Sequence, residues 1–277
     1  MIASGLPELD ITPRDIHFGL DRTRISDWAG GSFARTAFFN ALSILFPQGE
    51  RLFITSVAAY RDRIADPKLL AEVKAFSMQE GLHTREHLAY NAALQDVVDV
   101  EKLDRESAEK IAFLKKNFPP ITHLAITCAL EHFTAIMAHE SMQNPDYFEG
   151  ADPTFARLWQ WHALEECEHK SVAFDVFRTV TKGEAEFLRR REMFVITINF
   201  LRDIFNNVYH IYKAAGKAGS VREWAALAHV LFVNPGFMRK IVRPYLKYYK
   251  KDFHPSQIDD SVERERARAT IAAAYGV

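Results

Sequence analysis

The sequence predicts an all-α fold: a four-helix bundle with an N-terminal arm before it and further helices behind it. Three observations lead there. Apolar residues recur three and four apart through most of the chain, with no alternating strand-like run. Aspartate precedes proline at Asp66-Pro67 and Asp152-Pro153, pairing an N-cap with a first helical residue that needs no N–H. Further glycines and prolines fall between the periodic stretches, where helices stop.

Taken in order, residues 1–32 carry Pro7, Pro13, Gly30 and Gly31 without a sustained period and read as an extended arm. Ser32 to Phe46 has one apolar face through Phe38, Phe39, Leu42, Leu45 and Phe46. Pro47-Gln48-Gly49 is expected to interrupt it, and a second run begins at Glu50, which shares a face with Phe53, Ile54, Val57 and Ile64. From Asp66-Pro67 a helix runs to about Val97 with the inner stripe Val73, Phe76, Glu80, His83, His87, Tyr90 and Leu94. Asp99 to Arg105 reads as a charged linker and 106–116 as a short polar helix, closed by Pro119-Pro120.

A third long helix, Ile121 to Gln143, sets small residues around Glu131 and ends at Asn144-Pro145. The fourth starts at Asp152-Pro153 and carries its period through His162, Glu166, His169 and Val176 to a stop at Gly183. Helices are then expected over 184–215, over 221–233 and after Asn234-Pro235-Gly236, with a polar and then helical tail beyond Pro255.

Composition narrows the function. With 277 residues, 48% of them hydrophobic and 26% charged, the chain can bury a core and lacks the signature of disorder. A net charge of -1 and a pI near 6.8 give no basic footprint for nucleic acid. Cys128 and Cys167 are too few for a disulfide framework and have no C-x-x-C spacing, which fits a reducing cytoplasm. The N-terminal residues lack the basic start and apolar stretch of a secretory signal. Met193 to Tyr212, the most apolar candidate span, is broken by Arg202 and Asp203 and reads as a buried helix, so no integral membrane segment is expected. Arg189-Arg190-Arg191 and Lys247 to Lys251 read as solvated charged faces, and most of the 21 phenylalanines as core.

The chemistry lies on the apolar faces of the four long helices. Each carries a carboxylate, and two add a histidine three residues on: Glu80-Gly81-Leu82-His83 and Glu166-Cys167-Glu168-His169. Residues i and i+3 lie together on a helix, so one E-x-x-H offers an oxygen and a nitrogen to the same ion. Glu50 and Glu131 complete a set of four glutamates and two histidines, the ligand pattern of two metal ions in a ferritin-like bundle. Buried carboxylates without cations are costly, so several at one depth call for metal. Oxygen and nitrogen donors without cysteine suit iron first, with manganese and zinc as alternatives. Glu165 competes with Glu166, which is preferred for its i+3 histidine; His87 and His162 are candidates for orienting the ligands or adding to them, and His132, His139 and Glu140 for packing.

The segments FPQGERLF at Phe46 to Phe53, FSMQEGLHTREH at Phe76 to His87, LEHFTA at Leu130 to Ala135, WHALEECEHKSVAFDVF at Trp161 to Phe177 and the late YYKKDFHP resemble, over nearly the full length, a bacterial family labelled predicted metal-dependent hydrolase. The resemblance implies a ferritin-like fold and a di-metal carboxylate core. One domain is expected, with arm 1–32, metal-binding core 33–182 and C-terminal extension 183–277. The expected function is a di-iron oxidase or oxygenase that activates O2 and acts on a small, largely apolar organic substrate. A metal-dependent hydrolase and iron storage or metal buffering are the alternatives. The expected partners are the substrate, an electron-donating reductase and a second copy in a homodimer.

Overall fold

The computed structural model describes residues 11–277; the expectation about a secretory signal falls on residues outside these. Among the described residues there are ten α-helices and no strand. They are α1 Phe33–Ala58, α2 Pro67–Leu94, α3 Val100–Asn117, α4 Pro120–Gln143, α5 Pro153–His169, α6 Val172–Thr181, α7 Glu186–Ala214, α8 Val221–Phe232, α9 Phe237–Lys247 and α10 Ser261–Tyr275. Asp66 accepts from the Lys68 N–H, and Asp152 from those of Thr154 and Phe155, so both aspartate–proline starts cap their helices as expected.

Side-chain pairs fix the helix directions. Ser43 meets Asn91 and Glu50 meets Thr84, so α1 and α2 are antiparallel. Cys128 reaches Ala173 and Cys167 reaches Ala135, which makes α4 antiparallel to α5 and α6. Gln79 meets His169 and His87 meets His162, setting α2 against α5 in the same sense. The order is therefore up, down, down, up, with α3 inside the long crossover from α2 to α4, a connectivity compatible with a ferritin-like bundle. Around this core, α7 packs across α1 and α4, α8 on α1, α9 on α4 and α8, and α10 on α5 and α4.

Several sequence expectations need correction. Pro47 does not interrupt the first helix: α1 runs straight through it. A proline leaves the carbonyl four residues back without its N–H, and here the Asn91 side-chain amide donates to the Ser43 carbonyl at 3.0 Å instead. The supposed linker after Asp99 is already helical, because Asp99 accepts from the Lys102 N–H and caps α3 at Val100. The fourth long helix breaks at Lys170 and Ser171, between α5 and α6. There the buried Lys170 ammonium leaves the bundle to bond the Ile258 carbonyl and Asp260, while His169 keeps facing inward.

Arg189 is no solvated charge either. It is fully buried, lies over the Tyr248 ring at 4.5 Å and donates to the carbonyls of Tyr248 and Lys250. Nor is α7 buried all round, since Phe194, Ile198, Phe205 and Tyr209 are exposed. Among the described residues the helix long and apolar enough to cross a membrane is α4, and 89% of its apolar window is buried inside the fold. The described part of the arm, residues 11–32, has no α-helix but is packed, with a 3-10 turn at Arg22–Arg24 and Ile16, Phe18 and Trp28 in the core.

Candidate metal centre

All six carboxylate and imidazole side chains singled out by spacing converge in the bundle. Glu50 comes from α1, Glu80 and His83 from α2, Glu131 from α4, and Glu166 and His169 from α5; each is at least 98% buried. Donor atoms of Glu50, Glu80 and His83 lie within 4.8 Å of one another, as do those of Glu80, Glu131 and His169. Glu166 spans the two groups, 3.5 Å from His83 Nδ1 and 3.7 Å from His169 Nε2. Eight buried donor atoms facing this space make no hydrogen bond: Glu50 Oε1, both oxygens of Glu80 and of Glu131, His83 Nδ1, Glu166 Oε2 and His169 Nε2. Buried polar atoms are nearly always paired, so this concentration marks a place that could hold cations.

His162 belongs to the cluster. Its Nε2 lies 3.0 Å from Glu166 Oε1, and it forms a further close group with His83 and Glu166. Beyond it, His162 Nδ1 meets His87 Nε2 at 2.7 Å, and His87 Nδ1 meets Ser43 Oγ at 2.9 Å. Directions follow from the far end. The Asn91 NH2 donates to the Ser43 carbonyl, so its oxygen accepts the Ser43 hydroxyl. Ser43 Oγ must then accept from His87 Nδ1–H, and the His87 Nε2 lone pair from His162 Nδ1–H. This leaves the His162 Nε2 lone pair aimed at the cluster.

The other two imidazoles are set in the same way. The Gln79 NH2 donates to Glu168 and to the Thr12 carbonyl, so Gln79 Oε1 accepts from His169 Nδ1–H and frees Nε2. His83 Nε2 bonds Glu165 at 3.1 Å and frees Nδ1. Glu165 is therefore turned away from the cluster. Its other oxygen accepts from Trp161 Nε1 and from the Arg14 backbone, and the Arg14 guanidinium ties it to Glu168. Arg268 of α10 also donates to Glu168, at 2.8 Å. Aromatic rings close the walls: Trp161 against His83, Phe76 against His169, and Phe46 against both His87 and His162.

Spacing alone did not reveal the outer residues Arg14, Ser43, Gln79, Asn91 and Arg268, because their partners lie far away in sequence. The acidic pair Glu165 and Glu168 beside Glu166 was the visible trace of them. His132 and Glu140 serve packing as expected, bonding the Pro244 carbonyl and the Tyr147 hydroxyl respectively. His139 lies 3.7 Å from Glu263, also outside the cluster.

Burial dominates the electrostatics. It pushes Glu50 up to about 8 and holds Glu80 and Glu131 well above the ordinary carboxyl range. Glu166 goes the other way, because the surrounding histidines outweigh its desolvation. Burial would lower His83 and His169, yet their glutamate neighbours raise them to about 10 and about 9. His162, desolvated beside His83, drops to about 4 and stays neutral. Without a cation the site thus retains protons, and a bound cation would displace them from the inward atoms.

An all-helical bundle with buried carboxylates and lone-pair-directed imidazoles on facing helices is the architecture of a metal-dependent protein. The chain belongs to the family described as predicted metal-dependent hydrolase, whose family model matches residues 12–259. No curated protein and no solved structure matches it.

Proposed function

We propose that Glu50, Glu80, His83, Glu131, His162, Glu166 and His169 hold two metal ions, and that the chain is a di-metal hydrolase as its family description suggests. The observation that carries this reading is the set of eight buried donor atoms that face one another in the bundle without a hydrogen bond. Glu50, His83 and His162 would hold one ion and Glu131 and His169 the other, with Glu80 and Glu166 within reach of both groups. Four carboxylates balance two divalent charges once the imidazoles are neutral. Two divalent ions supply Lewis acidity and a water acidic enough to attack near neutral pH. Glu165, Gln79 and His87 keep the imidazole lone pairs pointed inward. Thr84 holds one oxygen of Glu50 at 2.8 Å and leaves the other free. The chain from His162 to Asn91 ends inside the bundle, so it positions His162 and does not carry protons to solvent.

A second reading, oxidation with O2, is favoured by the donor set: four carboxylates and three imidazoles without cysteine suit iron. It needs an external electron donor. Metal content of protein purified without chelators, with esters and amides assayed under nitrogen, separates the two. Activity without oxygen, supported by manganese or zinc, upholds hydrolysis. About two irons per chain and a visible absorption change when oxygen meets the reduced protein uphold oxidation. A chain that binds no metal overturns both, and full metal retention in Glu131→Ala overturns the ligand assignment.

A further inference from the structure

A cavity of about 890 Å³ lies among α1, α3, α4 and α7, near the upper end of the roughly 300–1,000 Å³ of ordinary ligand sites. Along α4 it is lined by Thr122, Ile126, Leu130 and Thr134, one residue per turn on a single face. At 1.5 Å per residue that stripe is about 18 Å long. An extended chain advances roughly 1.2 Å per atom, so roughly fifteen atoms span its length. Measured along α4, the cavity is long enough to serve as a channel.

Its two ends differ. At the inner end, Phe46 and Thr134 also line a small second cavity of about 40 Å³ whose wall includes His162 and Glu166. On its solvent side Phe113 and Val195 are 63% and 41% exposed. Each cation lining the channel already pairs with an acid: Lys110 with Asp203 at 2.9 Å, Arg202 with Asp203 at 3.2 Å, and Arg191 with Glu192. An anionic head group thus has no ready partner on the solvent side, while the end at Phe46 and Thr134 abuts the polar centre. Gly49 adds room: a helix-interior glycine costs about 1 kcal/mol against alanine, and this one leaves the channel wall without a side chain.

We infer that this channel binds one extended aliphatic chain, as in a long-chain acyl ester or acid, with its oxygen-bearing head inward past Phe46 and Thr134. The role of the head group rests on the di-metal reading above; the seat of the chain rests on the channel itself.

The test titrates octanoate, dodecanoate and hexadecanoate into the purified protein by calorimetry, with metal content measured on the same sample. Affinity should climb by up to about fourfold per methylene and level off when the channel is full, at one chain per protein. Ile126→Trp, about 12 Å along α4 from Thr134, should weaken hexadecanoate at least tenfold and leave octanoate unchanged. Ile111→Trp, half-buried on α3, should do the same if the core variant fails to fold. Binding that ignores chain length overturns the inference. So does wild-type affinity for hexadecanoate in a folded tryptophan variant, or loss of octanoate as well. Two metals without chain-length dependence would sink the channel assignment alone; chain-length dependence without metal would sink the di-metal reading alone.

Discussion

Pro47 cannot donate to the carbonyl of Ser43, and the amide of Asn91 takes over that bond at 3.0 Å. Removing it strands a buried carbonyl, so Asn91→Ala should destabilise by roughly 1–3 kcal/mol in urea unfolding. In a Pro47→Ala background the backbone N–H returns and the loss should shrink; equal losses in both backgrounds would refute the account. Arg14 sits between two fully buried carboxylates, Glu165 and Glu168. Arg14→Met leaves Glu168 with Arg268 and Gln79, and Glu165 with His83 and Trp161, but strips both of a buried positive partner, and a cost of up to about 3–5 kcal/mol is expected in the same assay. At this scale the inner donors were legible, because i, i+3 spacing is a property of the helix itself. His162 was visible only as an alternative, since its direction is set by Ser43 and Asn91 on other helices. Arg14 could not be found at all: the separation between it and Glu165 is 151 residues, and no local rule spans that distance.

Helices with strong local signals were read correctly, and those whose ends depend on tertiary contacts were not. The aspartate–proline caps of α2 and α5 act within one turn. The continuity of α1 depends on α2, and the break between α5 and α6 on Lys170 reaching Asp260. Charge density hid the start of α3, whose side chains are exposed or half-buried apart from Val100 and Leu103. That sparse burial has a dynamic consequence: amide exchange should be markedly faster over α3 than over α4, most of whose side chains are buried. The Lys110–Asp203 pair across the channel mouth is partly exposed. Pairs of this kind contribute about 0–1 kcal/mol, so Lys110→Ala should barely change stability while speeding α3 exchange further. Equal protection of α3 and α4 would show that α3 is held as firmly as the bundle.

For the molecule as a whole, the cluster links stability to pH. Without metal, Glu50 holds its proton up to about 8, His83 to about 10 and His169 to about 9, against ordinary values of 4.5 and 6.5. Between pH 6.5 and 9 the unfolded chain has released protons that the folded one keeps, so stability should fall as pH rises. Ions replacing those protons should flatten the dependence, and saturation at a hundredfold over Kd should add about 2.7 kcal/mol per ion. Denaturation of chelator-treated and loaded protein at both pH values checks this; parallel curves would mean that no exchange of protons for metal occurs. The convergence of Arg14 and Arg268 on Glu168 has a further consequence, for synthesis. The ribosome delivers Arg14 before any of the inward donors and Arg268 after all of them. A nascent chain carrying α1 to α5 already owns every donor, yet the carboxylate that steadies Gln79 and His169 still lacks one of its clamps. Final tightening of the centre thus waits for α10 to dock.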